Sequence, residues 1–240
     1  MKMGLEPRTM RTLVCFPFAG SGASFFRSWA HALRDEFRVL PIQLPGRENR
    51  LGEEPYLDVS QAINSLQPEI DRLAGDGGEI FAFGHSLGAV LAYEFALRLR
   101  DLSPGCQRLF VSGSPGPSRL RAGRATGLND GDFLDQVRSF AGYSHPALDD
   151  PEMRELLLPM IRADVEMHEN YRASAGAILD IPVTCVRGRE DDLVSREDVA
   201  AWQGATNVPI EIVEVSGGHM YVAEDPGQLF GLFMSSALAA

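Results

Sequence analysis

The chain has 240 residues, 45% of them hydrophobic and 23% charged, enough to build one large α/β domain or two small ones. A formal net charge of −11, with no basic stretch, excludes general nucleic-acid binding. No apolar run approaches the roughly 20 residues of a membrane span, and the opening MKMGLEPRTMRTLV lacks the apolar centre of a signal peptide, so a soluble, cytoplasmic protein is expected.

RTLVCF (11–16) is a continuous apolar run and reads as a buried strand. Ser24 can cap a helix through FFRSWAHAL, and FRVLPIQL (37–44) is a second strand. DVSQAINSLQPEIDRLA (58–74) has the periodicity of one helix despite Pro68. GEIFAFG (78–84) is a third strand, followed by a helix from Ser86 to about Arg100. CQRLFVSG (106–113), PVTCVRG (182–188) and PIEIVEVSG (209–217) complete six strands, with helices at 196–203 and 226–239. Strands alternating with helices predict an α/β fold with a mostly parallel central sheet flanked by helices. Cys15, Cys106 and Cys185 each fall inside a strand run. They read as buried free thiols in a reducing compartment, without the clustering of a zinc site.

The alternation fails once. Between about 114 and 178 no strand is visible. SPGPSRLRAGRATG reads as a loop, and NDGDFLDQVRSFAG, DPEMRELLLP and MIRADVEMHENYR as two or three short helices. A helical insertion of this length predicts an active-site lid within a single domain spanning 1–240.

The chemistry centres on GHSLG (84–88), which follows a strand and opens a helix, the context of a nucleophile elbow. A tight strand–turn–helix exposes the Ser86 hydroxyl and demands small neighbours, hence Gly84 and Gly88. The Leu87 N–H at the helix start faces a developing oxyanion. A serine needs a base, and on this scaffold the order is serine, acid, histidine. Asp191 follows the fifth strand run and His219 the sixth, so the order 86, 191, 219 fits. Asp192 competes as the acid; Asp191 is preferred for its G-x-x-D spacing from Gly188. The loop CFPFAGSGASFF after the first strand supplies the second oxyanion donor, the Ala19 N–H, with Phe18 as the alternative. His85 should face away from the site, as a packing or hydrogen-bonding residue. MHENY is not H-E-x-x-H, and no metal-ligand cluster or cofactor motif is visible.

These segments resemble the type II thioesterases of polyketide and nonribosomal peptide assembly lines, within the α/β-hydrolase superfamily. FPFAGSGASFF resembles that family's F-P-x-A-G-G-x-x-x-x-F, with Ser21 in place of the second glycine; QLPGRENRL resembles its P-G-R-x-x-R; LLLPMIRADVEMHENYR resembles its R-A-D lid segment; GGHMYV resembles its histidine segment. The resemblance implies hydrolysis of unwanted acyl groups from the phosphopantetheine arm of acyl or peptidyl carrier proteins. Ser86 would be the nucleophile, His219 the base and Asp191 its orienting acid, with Leu87 and Ala19 as oxyanion donors and no cofactor. A monomer is expected. Such carrier proteins are acidic, as this chain is, so docking needs a local patch; Arg119, Arg121 and Arg124 are candidates, as are Arg47 and Arg50. Phe18, Phe133, Phe140, Met160 and Met167 either line an acyl channel or pack the lid. A small-molecule esterase or lipase on the same fold and a non-catalytic binding relative are the alternatives. The former would ignore carrier-bound substrate, and the latter would usually lack a triad residue.

Overall fold

Apolar runs buried on both faces are satisfied only inside a sheet covered on both sides. The computed structural model, which describes residues 11–119, 124–141, 148–174 and 176–239 (backbone alone at 140, 141, 238 and 239), has that arrangement. Six strands, β1 (Arg11–Phe16), β2 (Arg38–Pro41), β3 (Glu79–His85), β4 (Cys106–Ser112), β5 (Val183–Gly188) and β6 (Glu211–Val215), form one sheet in the order β2-β1-β3-β4-β5-β6. Every neighbouring pair is parallel.

Alternate residues of each strand supply the two cores. Val14, Phe16, Ala82, Leu109 and Cys185 face one layer, with α2 (Val59–Asn64), α3 (Gln67–Asp76) and α4 (Leu87–Leu99). Leu13, Cys15, Phe83, Phe110 and Val186 face the other, with α1 (Arg27–Ala32), α8 (Tyr221–Glu224) and α9 (Gly227–Ala239). Trp29 and Phe233 fill that second layer, their ring centroids 5.0 and 5.4 Å from that of Phe83. Between β4 and β5 lie α5 (Asp130–Ala141) and α6 (Pro151–Asn170), which share a small core of their own around Phe133, Leu134, Leu158 and Met160. A short α7 (Arg196–Ala200) follows β5, started by a Ser195–Asp198 capping box.

The strand order locates the site. The chain leaves β1 toward β2 on one side, whereas β3 continues to β4 on the other. Connections that diverge from adjacent parallel strands open a crevice at their carboxyl ends. The loop after β1 and the turn after β3 meet there.

Three local expectations are corrected. The helix expected over 58–74 is two helices. Pro68 lies in the first turn of α3, where its missing N–H costs nothing, and it cannot continue a helix through Ser65 and Leu66. The segments expected as separate helices on either side of Pro159 are one 20-residue helix, α6. Pro159 lies on its exposed side, where the carbonyl it leaves unbonded is open to solvent. Ser24 does not cap a helix; it sits inside a 3₁₀ turn (Ala23–Phe26), and its hydroxyl donates to Glu48 at 2.5 Å.

All three thiols are buried, and burial pushes the Cys15 pKa up and those of Cys106 and Cys185 to about 12. Ellman's reagent should therefore find no rapidly reacting thiol in the native protein and three after denaturation. A stoichiometric native reaction at any one would contradict the packing described.

Candidate active site

Ser86 sits between β3 and α4 at φ 53°, ψ −115°, a conformation that a residue with a side chain adopts only under constraint. The constraint is steric. A Cβ on Gly84 would collide with the Gly88 carbonyl, and one on Gly88 with the carbonyl of Phe16 at the end of β1. Strand, turn and helix therefore touch backbone to backbone. The Ser86 N–H is fixed by the Ser112 carbonyl of β4 at 2.8 Å. Leu87, fully buried, begins α4, so the positive end of that helix lies beside the serine.

The second half of the site forms at β5 and β6. Gly188 has no room for a side chain: a Cβ there would strike the Gly217 and Gly218 carbonyls. The loops after the two strands are thus in contact, and the His219 Nδ1 lies 2.9 Å from Asp191 Oδ2. A carboxylate can only accept, so Nδ1 carries the proton, and Nε2 of the neutral ring is left as an acceptor. Asp191 Oδ1 accepts from the Leu193 and Val194 N–H groups at 2.9 and 3.2 Å. Burial raises the Asp191 pKa, but the hydrogen bond and charge of His219 and the two N–H groups outweigh it and hold the carboxyl below its usual range. Asp191 is 4% exposed. Asp192 lies exposed beside it.

His85 has the hydrogen-bonding role expected of it, but its ring does not face away from the site. It stands 4.9 Å from that of His219. A polar chain runs from His85 Nδ1 to Ser112 Oγ (2.9 Å), on to the Tyr221 hydroxyl (2.5 Å), and ends on the Val186 carbonyl (3.1 Å). The terminal carbonyl can only accept, which orients every proton of the chain back to a donating His85 Nδ1. Burial pushes the Tyr221 phenol pKa up, keeping it the neutral donor this needs. Ser112 carries no sequence signal beyond lying in an apolar run, and Tyr221 is marked only by its place in the GGHMYV segment.

In the loop after β1, the Ser21 N–H and hydroxyl both donate to the Phe18 carbonyl, at 3.0 and 2.8 Å. Across a trans peptide N–H and C=O point in opposite directions, so these bonds turn the Ala19 N–H away from Ser21. The Phe18 ring lies 5.9 Å from that of His85 in a T-shaped contact.

One buried ion pair was not foreseen. Arg47 binds Asp164 of α6 through both guanidinium nitrogens at 2.7 Å, with side chains 4% and 0% exposed. Arg47 is therefore excluded as a docking residue. Arg50 is tied to Glu53 and to the Gln43 carbonyl. Asp164 Oδ2 also accepts the Gly20 N–H at 2.8 Å, and Arg47 donates to the Ser21 carbonyl at 2.8 Å. The P-G-R and R-A-D segments thus meet beneath the loop after β1.

The thioesterase domain family model matches residues 11–235. The chain belongs to the thioesterase domain family. It is 35% identical over 215 residues to the gramicidin S biosynthesis protein GrsT of Aneurinibacillus migulanus, covering 88% of this chain and 83% of that one. It is 33% identical over 218 residues to the thioesterase PikA5 of Streptomyces venezuelae, covering 90% and 77%. The type II thioesterase BorB from the borrelidin biosynthetic cluster superposes with a TM-score of 0.83 at 32% identity, covering 96% and 94%. The sheet and flanking helices are those of the α/β-hydrolase fold.

Within this thioesterase the insertion residues are placed as follows. Phe133 and Met160 pack in the insertion's own core, with the Arg162 guanidinium 4.2 Å above the Phe133 ring, and Met167 packs in the main core. The side chain of Phe140, and Arg121 altogether, lie outside the described residues. Arg124 is exposed and bonded to Asn170 at 2.6 Å. Arg119 is exposed and lines a recess between α4, the segment after β4 and α6, together with Ser114, His168, Tyr171 and Arg172. Among the described residues no group of three or more His, Cys, Asp or Glu could hold a metal ion, and no helix is long and apolar enough to cross a membrane.

Because the folded-state pKa of Asp191 is depressed, its ionised form stabilises the native state above the unfolded value of about 3.9, and this contribution is lost as pH falls through the lower, folded value. The stability gap between wild type and Asp191→Asn, measured by urea unfolding, should narrow as pH falls below about 4. A gap independent of pH down to 3 would refute the coupling.

Proposed function

We propose that this protein is a type II editing thioesterase that hydrolyses aberrant or stalled acyl groups from the phosphopantetheine arm of acyl or peptidyl carrier proteins in polyketide or nonribosomal peptide biosynthesis. The observation that carries the reading is the His219–Asp191 pair at 2.9 Å together with a serine held at positive φ, in a chain alike over nearly its whole length to thioesterases of such pathways.

In this reading the reaction runs in two halves. Ser86 Oγ attacks the thioester carbonyl carbon while His219 Nε2 takes its proton. Asp191 stabilises the imidazolium and keeps Nδ1 protonated. The oxyanion is held by the Leu87 and Ala19 N–H groups. Collapse expels the pantetheine sulfur, which receives the proton from His219, and leaves an acyl-enzyme on Ser86. Water, deprotonated by His219, then attacks the ester, and the released acid restores the serine. The α5–α6 insertion acts as the lid of this single domain. The buried free thiols support a cytoplasmic location.

Acyl release from acetyl-, propionyl- and octanoyl-carrier proteins should depend on Ser86 and exceed hydrolysis of a matched oxygen ester. Ser86→Ala should abolish it, and Asp191→Asn should lower kcat on the order of 10⁴-fold while Asp192→Asn leaves it within about threefold. Brisk ester hydrolysis without carrier activity would overturn the editing role.

Carrier docking is assigned to Arg119, Arg121 and Arg124, which flank the insertion. Charge reversal at all three should raise KM for acyl-carrier substrates by about tenfold and leave KM for a small thioester unchanged. An equal rise for both substrates would remove these arginines from the docking surface.

A further inference from the structure

The buried Arg47–Asp164 pair does more than join the insertion to the domain. We infer that Asp164, with Arg47, is a positioning residue for the oxyanion hole, setting the direction of the Ala19 N–H from the insertion helix. The inference rests on the thioesterase reading above, in which Ala19 donates to the oxyanion.

The loop after β1 has three consecutive anchored groups. The Phe18 carbonyl is held by the Ser21 N–H and hydroxyl. The Gly20 N–H is held by Asp164 Oδ2 at 2.8 Å, and the Ser21 carbonyl by Arg47 at 2.8 Å. The Ala19 N–H shares its peptide with the Phe18 carbonyl, and the next peptide carries the Gly20 N–H. Holding these two adjacent peptides, one by Ser21 and the other by Asp164, fixes the backbone on both sides of the Ala19 Cα and leaves the first peptide little freedom to rotate. Gly20 itself has φ 82°, a left-handed conformation that flips readily when its hydrogen bond is lost. Ile161, one turn before Asp164 on α6, lies 3.6 Å from the position a Gly20 Cβ would take, so the helix is packed directly on this peptide.

The charges select this arrangement. A lone carboxylate with 0% exposure would be too costly to bury, and Arg47 neutralises it through two parallel hydrogen bonds. Asp164 Oδ2 then has a lone pair left for Gly20. A carboxylate supplied by the insertion thus completes a hole whose donors come from the domain body.

Single variants leave a buried charge unpaired and can fail to fold, so the deciding variant is the double Arg47→Met/Asp164→Leu, which removes both charges and keeps apolar volume. It is compared with wild type and Asp164→Asn on the N-acetylcysteamine thioester of acetate and on p-nitrophenyl acetate. Active sites are counted by a fluorophosphonate burst, and affinity is measured for an acyl trifluoromethyl ketone, whose alkoxide occupies the hole. The double variant should fold with a Tm near that of wild type, lose about 10²-fold in kcat per active site with KM within about threefold, and bind the ketone about 10²-fold more weakly. A purely structural pair would lower Tm and the active fraction in Asp164→Asn, and the double variant would recover full kcat; that result overturns the inference. A change confined to KM overturns it too. A double variant that does not fold also overturns it, because the pair would then be structural. Wild type inert toward both esters would overturn the parent reading along with this one, whereas an active wild type with an unimpaired double variant overturns this inference alone.

Discussion

The site depends on backbone segments that touch with nothing between them. At Gly84 and Gly88 the end of β3, the start of α4 and the end of β1 approach so closely that a single added carbon would collide with a carbonyl. That contact forces Ser86 to positive φ and presses the loop after β1 against the N-terminus of α4. A second such contact, at Gly188, joins the loops after β5 and β6 and delivers Asp191 to His219. Glycine lets the segments after β1 and β3, and separately the loops after β5 and β6, meet backbone to backbone. Rigid strands carry the geometry, and the strained serine is the local cost.

Electrostatics then distinguishes the two buried carboxylates near the site. Asp191 faces His219, a titratable partner, and two N–H groups that together hold its charge in place. Asp164 is paired with the Arg47 guanidinium through two hydrogen bonds, and a further lone pair accepts a backbone N–H. One carboxylate is placed to act on a proton and the other to hold a peptide. The chain as a whole is acidic, yet the arginine nearest the loop after β1 is spent inward on Asp164. Arg119 and Arg124, before α5, are exposed.

Much of the fold was legible because its signals are local. The central strand runs are largely apolar because both faces are covered, and each run was bounded to within a few residues by Gly, Pro or charge. Misreadings arose where a local rule has two outcomes. Pro68 starts a helix in the position where it could have kinked one, and Pro159 is tolerated inside α6 because that side is solvated. Arg47 looked like a loop arginine because nothing in its neighbourhood along the chain marks it as buried. Its partner lies 117 residues away. His85 was assigned to the far side by strand alternation, but the turn at Ser86 and the left-handed Gly113 bring its ring against His219.

By itself the sequence determined the strand and helix order, the serine elbow, the positions of acid and base after late strands, and the interruption of the pattern by a helical insertion. Each is written in residues adjacent along the chain, where steric and hydrogen-bonding preferences act over a few bonds. Only the tertiary structure decided which of two adjacent aspartates faces the histidine, which arginine is buried, and that a carboxylate of the insertion holds the amide next to Ala19. Those outcomes depend on burial and on distances between segments far apart in sequence, and a charge's environment is set by what packs around it in space.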